Sequence, residues 1–289
     1  MCINNLSVNH NRMKIYHYTS IETLALILKS KSIRFNRLDN VDDLEESMYG
    51  SGPKNQNLSK YIFVSCWTKS EEENLALWKM YAGYNGIRIG LDENLFVSYP
   101  NTPFDTIESF YKEIFHFGPD YCAAQQNNLT KPEEVKYIDS PRIAVNDLVC
   151  ISGNTLSIKT SNWGLVKSKE WAIQQESRFR IQALPLNYAY VKSYSAASLN
   201  TMDRMKLTEA IIEVIPAIVR SIEEDYKPQT SELFMPIKDD ALNNMEIMMG
   251  PQTSDAQRLI VEALVQDLSN ITLTDSKFKG KVRGKFSCI

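Results

Sequence analysis

The chain runs to 289 residues and carries 32 basic against 35 acidic side chains, a formal charge of −3, which gives no global field able to gather nucleic acid. Hydrophobic residues at 43% and charged residues at 23% are globular proportions and exclude a disordered or fibrous chain. Cys2, Cys66, Cys122, Cys150 and Cys288 are odd in number and form no C-x-x-C pair, which argues against a disulfide framework or structural zinc and for a reducing cytoplasm.

Met1–Lys14 is Asn-rich and lacks the apolar centre of a signal peptide, and no apolar run reaches the ~18 residues a spanning helix needs. A cytoplasmic protein without membrane contact is expected. Ile15–Tyr18 reads as a short strand, and Thr19 with Glu22 makes a capping-box pattern leading into a helix over Ile21–Lys29. Ser32–Phe35 has strand composition. The acidic segment Asp39–Glu46 and a polar loop, Gly50–Ser59, follow.

Tyr61–Thr68 is the clearest strand, aromatic and branched between polar flanks. Glu71–Ala82 has acids in its first turn and Leu75, Trp78 and Ala82 at helical spacing, with Gly83 and Gly86 to end it. Ile87–Leu91 is another strand, whereas Asn94–Trp163 mixes weak signals without a clear order. In Trp171–Ile181 the charged Glu176, Arg178 and Arg180 alternate with Ser177, Phe179 and Ile181, so a strand would aim all three charges one way. Ser198–Asp225 is helical, with Ile211, Ile212, Ile215, Ile218 and Val219 as its apolar stripe and Pro216 inside it. Met245–Met249 reads as a strand, Ser254–Leu268 as a capped helix and Ile271–Leu273 as a last strand.

No G-x-G-x-x-G or Walker loop is present. The expectation is one α+β domain over residues 1–289 with a mixed or split antiparallel sheet, surrounding helices and a helical insertion at 198–225. His17 stands out, one of three histidines, set between Tyr16 and Tyr18 where strand turns into helix.

Four segments together resemble the bacterial family catalogued as domain of unknown function 2971. They are Tyr16-His17-Tyr18-Thr19 with its helix, Asp39-x-x-x-Asp43-x-Glu45, Phe63–Trp67 with Trp78-x-x-Tyr81 and Gly86, and Trp171 through Glu176-x-Arg178. Ile247–Pro251 is similar to that family's C-terminal strand and turn, so the resemblance covers most of the chain. More distantly the chain resembles ADP-ribosyltransferases, which carry a His or Arg on the first strand, an aromatic or Ser-centred motif on a middle strand and a late Glu. His17, Ser65-Cys66-Trp67 and Glu176 come in that order, and Gln174-Gln175-Glu176 is similar to the Gln-x-Glu form of the late motif. The sibling family more often has Glu at the position of Gln174, a departure that bears on substrate choice more than on NAD binding.

This second resemblance implies an ADP-ribosyltransferase-like fold and NAD as a substrate. ADP-ribose would pass to an acceptor of unknown kind, protein or nucleic acid, or NAD would be hydrolysed, in a bacterial stress, toxin or phage-defence setting. The late carboxylate, Glu176, would stabilise the cation-like ribose as nicotinamide leaves. His17 would donate to a ribose hydroxyl or phosphate, Trp78 or Tyr81 would stack on a base, and Arg178 would meet the pyrophosphate. Gln174 would orient the acceptor, and Tyr18 and Ser65 complete the nucleotide contacts.

Plainer readings stand beside these. His17 is equally compatible with a core histidine, Trp67, Trp78 and Tyr81 with core aromatics, and Glu176 and Arg178 with a simple strand pair. The basic end Lys277–Lys285 and the acidic segment both read as solvated faces. Cys66 has nothing near it to lower its pKa, Ser65 lacks a G-x-S-x-G context, and His10, His17 and His116 lack metal spacing. The rival functions are a nucleotide- or protein-binding module without turnover and a metal-dependent nucleic-acid enzyme built on Asp39, Asp43 and Glu45.

Overall fold

The strand expected around His17 forms as β1 (Lys14–Thr19), which buries every side chain but Lys14 and His17. Ser20, rather than the Thr19 of the sequence pattern, caps α1 (Ile21–Ser30) by accepting the Thr23 backbone N–H at 3.2 Å. Lys31, left-handed at φ 48°, turns the chain into β2 (Ser32–Arg37). The acidic segment is ordered as a 3-10 turn at Leu38–Asn40 and the short α2 (Leu44–Ser47). After β3 (Ile62–Thr68), Asn74 accepts the Ala76 and Leu77 N–H groups, so α3 (Leu75–Leu77) starts there and not at Glu71. It runs on as a π-helical turn, Trp78–Ala82, which left-handed Gly83 closes before β4 (Ile87–Asp92).

The computed structural model describes residues 13–47, 57–97, 115–117, 119–124, 129–141, 149–152, 155–158, 162–192 and 204–283. His10, Lys285, most of the Gly50–Ser59 loop and the start of the 198–225 segment lie outside them. The middle section that the sequence left unordered holds β5 (Phe115–Phe117), β6 (Tyr121–Ala124), β7 (Glu133–Glu134), β8 (Lys136–Ile138), β9 (Val149–Ser152), β10 (Thr155–Ile158) and β11 (Val166–Ser168). Trp171–Gln174 belongs to a 3-10 helix, Lys169–Gln174, and only after left-handed Gln175 does β12 (Glu176–Pro185) begin. Then come α4 (Arg204–Glu223), β13 (Glu232–Pro236), α5 (Asp239–Asn243), β14 (Glu246–Met249), α6 (Asp255–Val265) and β15 (Thr272–Asp275). A capping box between Ser254 and Gln257 starts α6.

The chain clusters into two compact units. The first comprises Met1–Lys31, Trp67–Leu95 and Ile237–Ile289. Its strands lie in the order β15-β14-β4-β1, antiparallel except for the β14–β15 pair. Tyr18, Leu77, Trp78 and Ala82 form a core cluster here. Gly86 and Gly250 bring backbones together: an added Cβ would lie 2.3 Å from the Thr19 carbonyl oxygen at Gly86 and 2.4 Å from that of Tyr84 at Gly250.

The second unit comprises Ser32–Cys66 and Phe96–Pro236. Here β2 pairs with β13 and β3, and the order continues β3-β12-β6-β5 with β7 also on β12. Phe35, Phe96 and Phe179 pack in sequence at ring separations of 5.5 and 4.8 Å, the first pair tilted and the second edge to face, against one face of β12. Beside them β8 and β11 pair in parallel and β9 and β10 antiparallel. Helix α4 is part of this unit: Val214, Ala217, Ile218, Ser221 and Ile222 are buried, and it packs on β12. Ile215, placed by the sequence in the apolar stripe, is 50% exposed. The chain is therefore α+β with a mixed, mostly antiparallel sheet and several helices. Among the described residues no helix is long and apolar enough to cross a membrane.

Candidate functional site

Strand alternation puts Glu176, Arg178 and Arg180 on one face of β12, opposite Phe179 and Ile181. Arg180 and Arg178 reach the carbonyl oxygens of Trp163 and Gly164 at 2.5 and 2.9 Å. Gly164, left-handed at φ 69°, leads the chain from there into β11, which carries Lys167. Helix α2 supplies Glu46, because Asp43 Oδ1 accepts the Glu45 and Glu46 N–H groups and so fixes the first turn. Ser59 closes the other end of that residue by donating to the Glu46 carbonyl at 3.0 Å.

These elements converge on a buried charge network. Arg178, 1% exposed, donates from Nε to Glu176 Oε1 at 2.7 Å and from Nη2 to Glu176 Oε2 at 3.0 Å. Its far end binds both oxygens of Glu46, Nη2 reaching Oε2 at 2.9 Å, while Nη1 also serves Gly164. Every N–H of the guanidinium is thereby used. Lys167 Nζ lies 2.7 Å from Gln174 Oε1, 3.3 Å from Glu176 Oε2 and 4.0 Å from Glu46 Oε2, and 4.8 Å from the centre of the Trp171 ring. Two carboxylates thus face two cations, a balanced set in an interior that would reject an unpaired charge.

The two carboxyls respond differently. Burial pushes both up, but Arg178 side-on and Lys167 close by overcome it at Glu176 and hold that group at about 2. At Glu46 burial prevails and its carboxyl stays above the usual range, since Lys167 is farther away and Glu176 is a like charge. Cys66, partly exposed on β3, hydrogen-bonds Glu176, and burial followed by that negative neighbour pushes its thiol far up. That shift disfavours the thiolate a nucleophile needs.

An acid-stability prediction follows from Glu176. A folded pKa of about 2 against an ordinary 4.5 contributes stability that is complete above pH 4.5 and is lost as the pH falls towards 2, roughly 3 kcal/mol in all. Glu46, raised instead, works in the opposite sense. Urea unfolding of wild type and Glu176→Gln across this range isolates the Glu176 part: the stability gap at pH 6 is expected to close by pH 2. A gap independent of pH contradicts it.

Glu176, Gln174, Arg178 and Ser65 belong to the second unit, and His17, Tyr18, Trp78 and Tyr81 to the first. Trp78 is fully buried, edge-on to Tyr18 at 4.9 Å, and its indole N–H is given to Glu73 at 2.9 Å. Its ring is enclosed in the core of the first unit. Tyr18 is also core, its hydroxyl accepting the Asn74 N–H at 3.0 Å. His17 is partly exposed with its ring 5.2 Å from that of Trp67, and Tyr81 is 43% exposed. Arg178 offers no donor to a pyrophosphate, because the carboxylates and Gly164 take them all. Ser65 is buried in β3.

The acidic segment fares likewise. Asp39 pairs with Arg37 at 2.7 Å and Asp43 caps α2, and among the described residues no group of three side chains could hold a metal ion. Glu46, Lys167 and Tyr137 were missed by sequence reasoning. Glu46 lies in a segment whose sequence reads as a solvated face, and nothing local separates it from Glu45. No family model, curated protein or solved structure matches this chain.

Proposed function

We propose that the second unit holds a nucleotide-binding site of ADP-ribosyltransferase type, with NAD as the substrate and Glu176 as the carboxylate that steadies the ribose cation as nicotinamide departs. The observation that carries this reading is the pair of cations held on the Glu176 carboxylate, Arg178 at 2.7 Å and Lys167 at 3.3 Å. A carboxylate held charged and immobile needs no reorganisation when positive charge develops beside it. Arg178 and Lys167 act as its supports, and Gln174, held by Lys167 at 2.7 Å, belongs to the same cluster. Of the groups on Glu176 the Cys66 thiol is the weakest donor, and it is the one a ribose hydroxyl would replace. The proposal rests on the second unit alone. The ADP-ribosyltransferase-like fold, the likeness to the family of unknown function, the defence setting and a cytoplasmic location stay with it as proposals.

A second reading has its own support. Glu176 is only 8% exposed and already accepts from both cations and the thiol, as expected of a module that binds without turnover or of a purely structural network. Calorimetric titration of NAD into the folded chain separates a nucleotide site, with or without turnover, from a purely structural network. Saturable binding in the micromolar to millimolar range, usual for enzyme substrates, supports a site; absence of heat at several millimolar NAD rejects it.

A further inference from the structure

Tyr137 stands in β8 directly opposite Lys167 in the parallel β8–β11 ladder. Its hydroxyl oxygen accepts the backbone N–H of Glu176 at 2.8 Å. That bond uses the oxygen as acceptor and leaves the phenolic proton to be donated, and among the described residues no group accepts it. Tyr137 is partly exposed. Burial, then the Glu176 charge, pushes the phenol up to about 12, so the donor persists through the physiological range.

We infer that Tyr137 is a ligand-contacting residue of the Glu176 site, donating its phenolic hydrogen bond to a ribose hydroxyl whose own proton goes to the Glu176 carboxylate. A sugar hydroxyl is both donor and acceptor, and an anchored donor beside an ionised acceptor matches it on both counts. The pair selects a hydroxyl over a bare methylene, since loss of that group leaves a buried carboxylate and a phenol with one partner fewer. This inference rests on the nucleotide reading above and adds to it the group that recognises the sugar.

The experiment measures the affinity of wild type and Tyr137→Phe for NAD and for its two analogues lacking the 2′- or the 3′-hydroxyl of the nicotinamide ribose. Tyr137→Phe is expected to weaken NAD about tenfold, the usual scale of one hydrogen bond, and to leave one of the two deoxy analogues unchanged. Equal weakening of all three ligands, or of none, overturns the assignment while leaving NAD binding intact. Failure of wild type to bind any of the three overturns the nucleotide reading and this inference with it. Should Tyr137→Phe not fold for want of the Glu176 N–H acceptor, 3-fluorotyrosine at position 137 keeps that bond and strengthens the donor. It is then expected to shift affinity for NAD and not for the same deoxy analogue, and unchanged NAD affinity overturns the assignment.

Discussion

Arg178→Met is expected to cost about 3–5 kcal/mol of stability, the scale seen when one partner of a buried ion pair is removed. The guanidinium spans Glu46, Glu176 and the Gly164 carbonyl, and methionine fills its volume while returning none of those bonds. Two carboxylates would then share one lysine, itself 4.0 Å from Glu46. Stability of small proteins totals roughly 5–15 kcal/mol, so the loss would be visible at once in a urea midpoint. Arg178→Lys keeps the charge but lacks the planar fork that holds two carboxylates together, and an intermediate loss is expected. A midpoint for Arg178→Met within experimental error of wild type would mean that the network carries no weight in the fold.

Glu176→Gln is the second large effect. If Glu176 steadies the ribose cation, replacing its charge with a dipole of the same shape is expected to lower nicotinamide release by about 10²–10³, as when one preorganised electrostatic group is lost. The amide can still meet Arg178, so a folded variant is expected at neutral pH, with the reduced stability described above. The rate should fall far more than the binding of NAD, because the charge matters most where the cation forms.

Much of the scaffold was legible because it depends on short-range pattern. The Tyr61–Thr68 and Ile87–Leu91 strands, the Ser254 cap and the shared face of Glu176 and Arg178 all follow from alternation or from one cap residue. The π-helical turn at Trp78–Ala82 was not, since its apolar spacing also fits an α-helix. The 3-10 helix before β12 was hidden because Gln175 is left-handed without being glycine. The site was half legible: Glu176 and Arg178 declare themselves as neighbours on a strand. Glu46 lies 132 residues from Arg178 in the chain, and Lys167 and Tyr137 meet only through the β8–β11 ladder. Such partners are brought together by the fold, and no local pattern marks them.

The most direct test of the central claim, that Glu176 serves NAD cleavage, is the release of nicotinamide from NAD by the wild-type chain and by Glu176→Gln, with a thermal melt to show that both are folded. Release by wild type that falls at least a hundredfold in the folded variant is the predicted result. Equal release by both proteins, or none from wild type, would contradict it and leave the Glu46, Arg178, Glu176 and Lys167 network as a device of the fold.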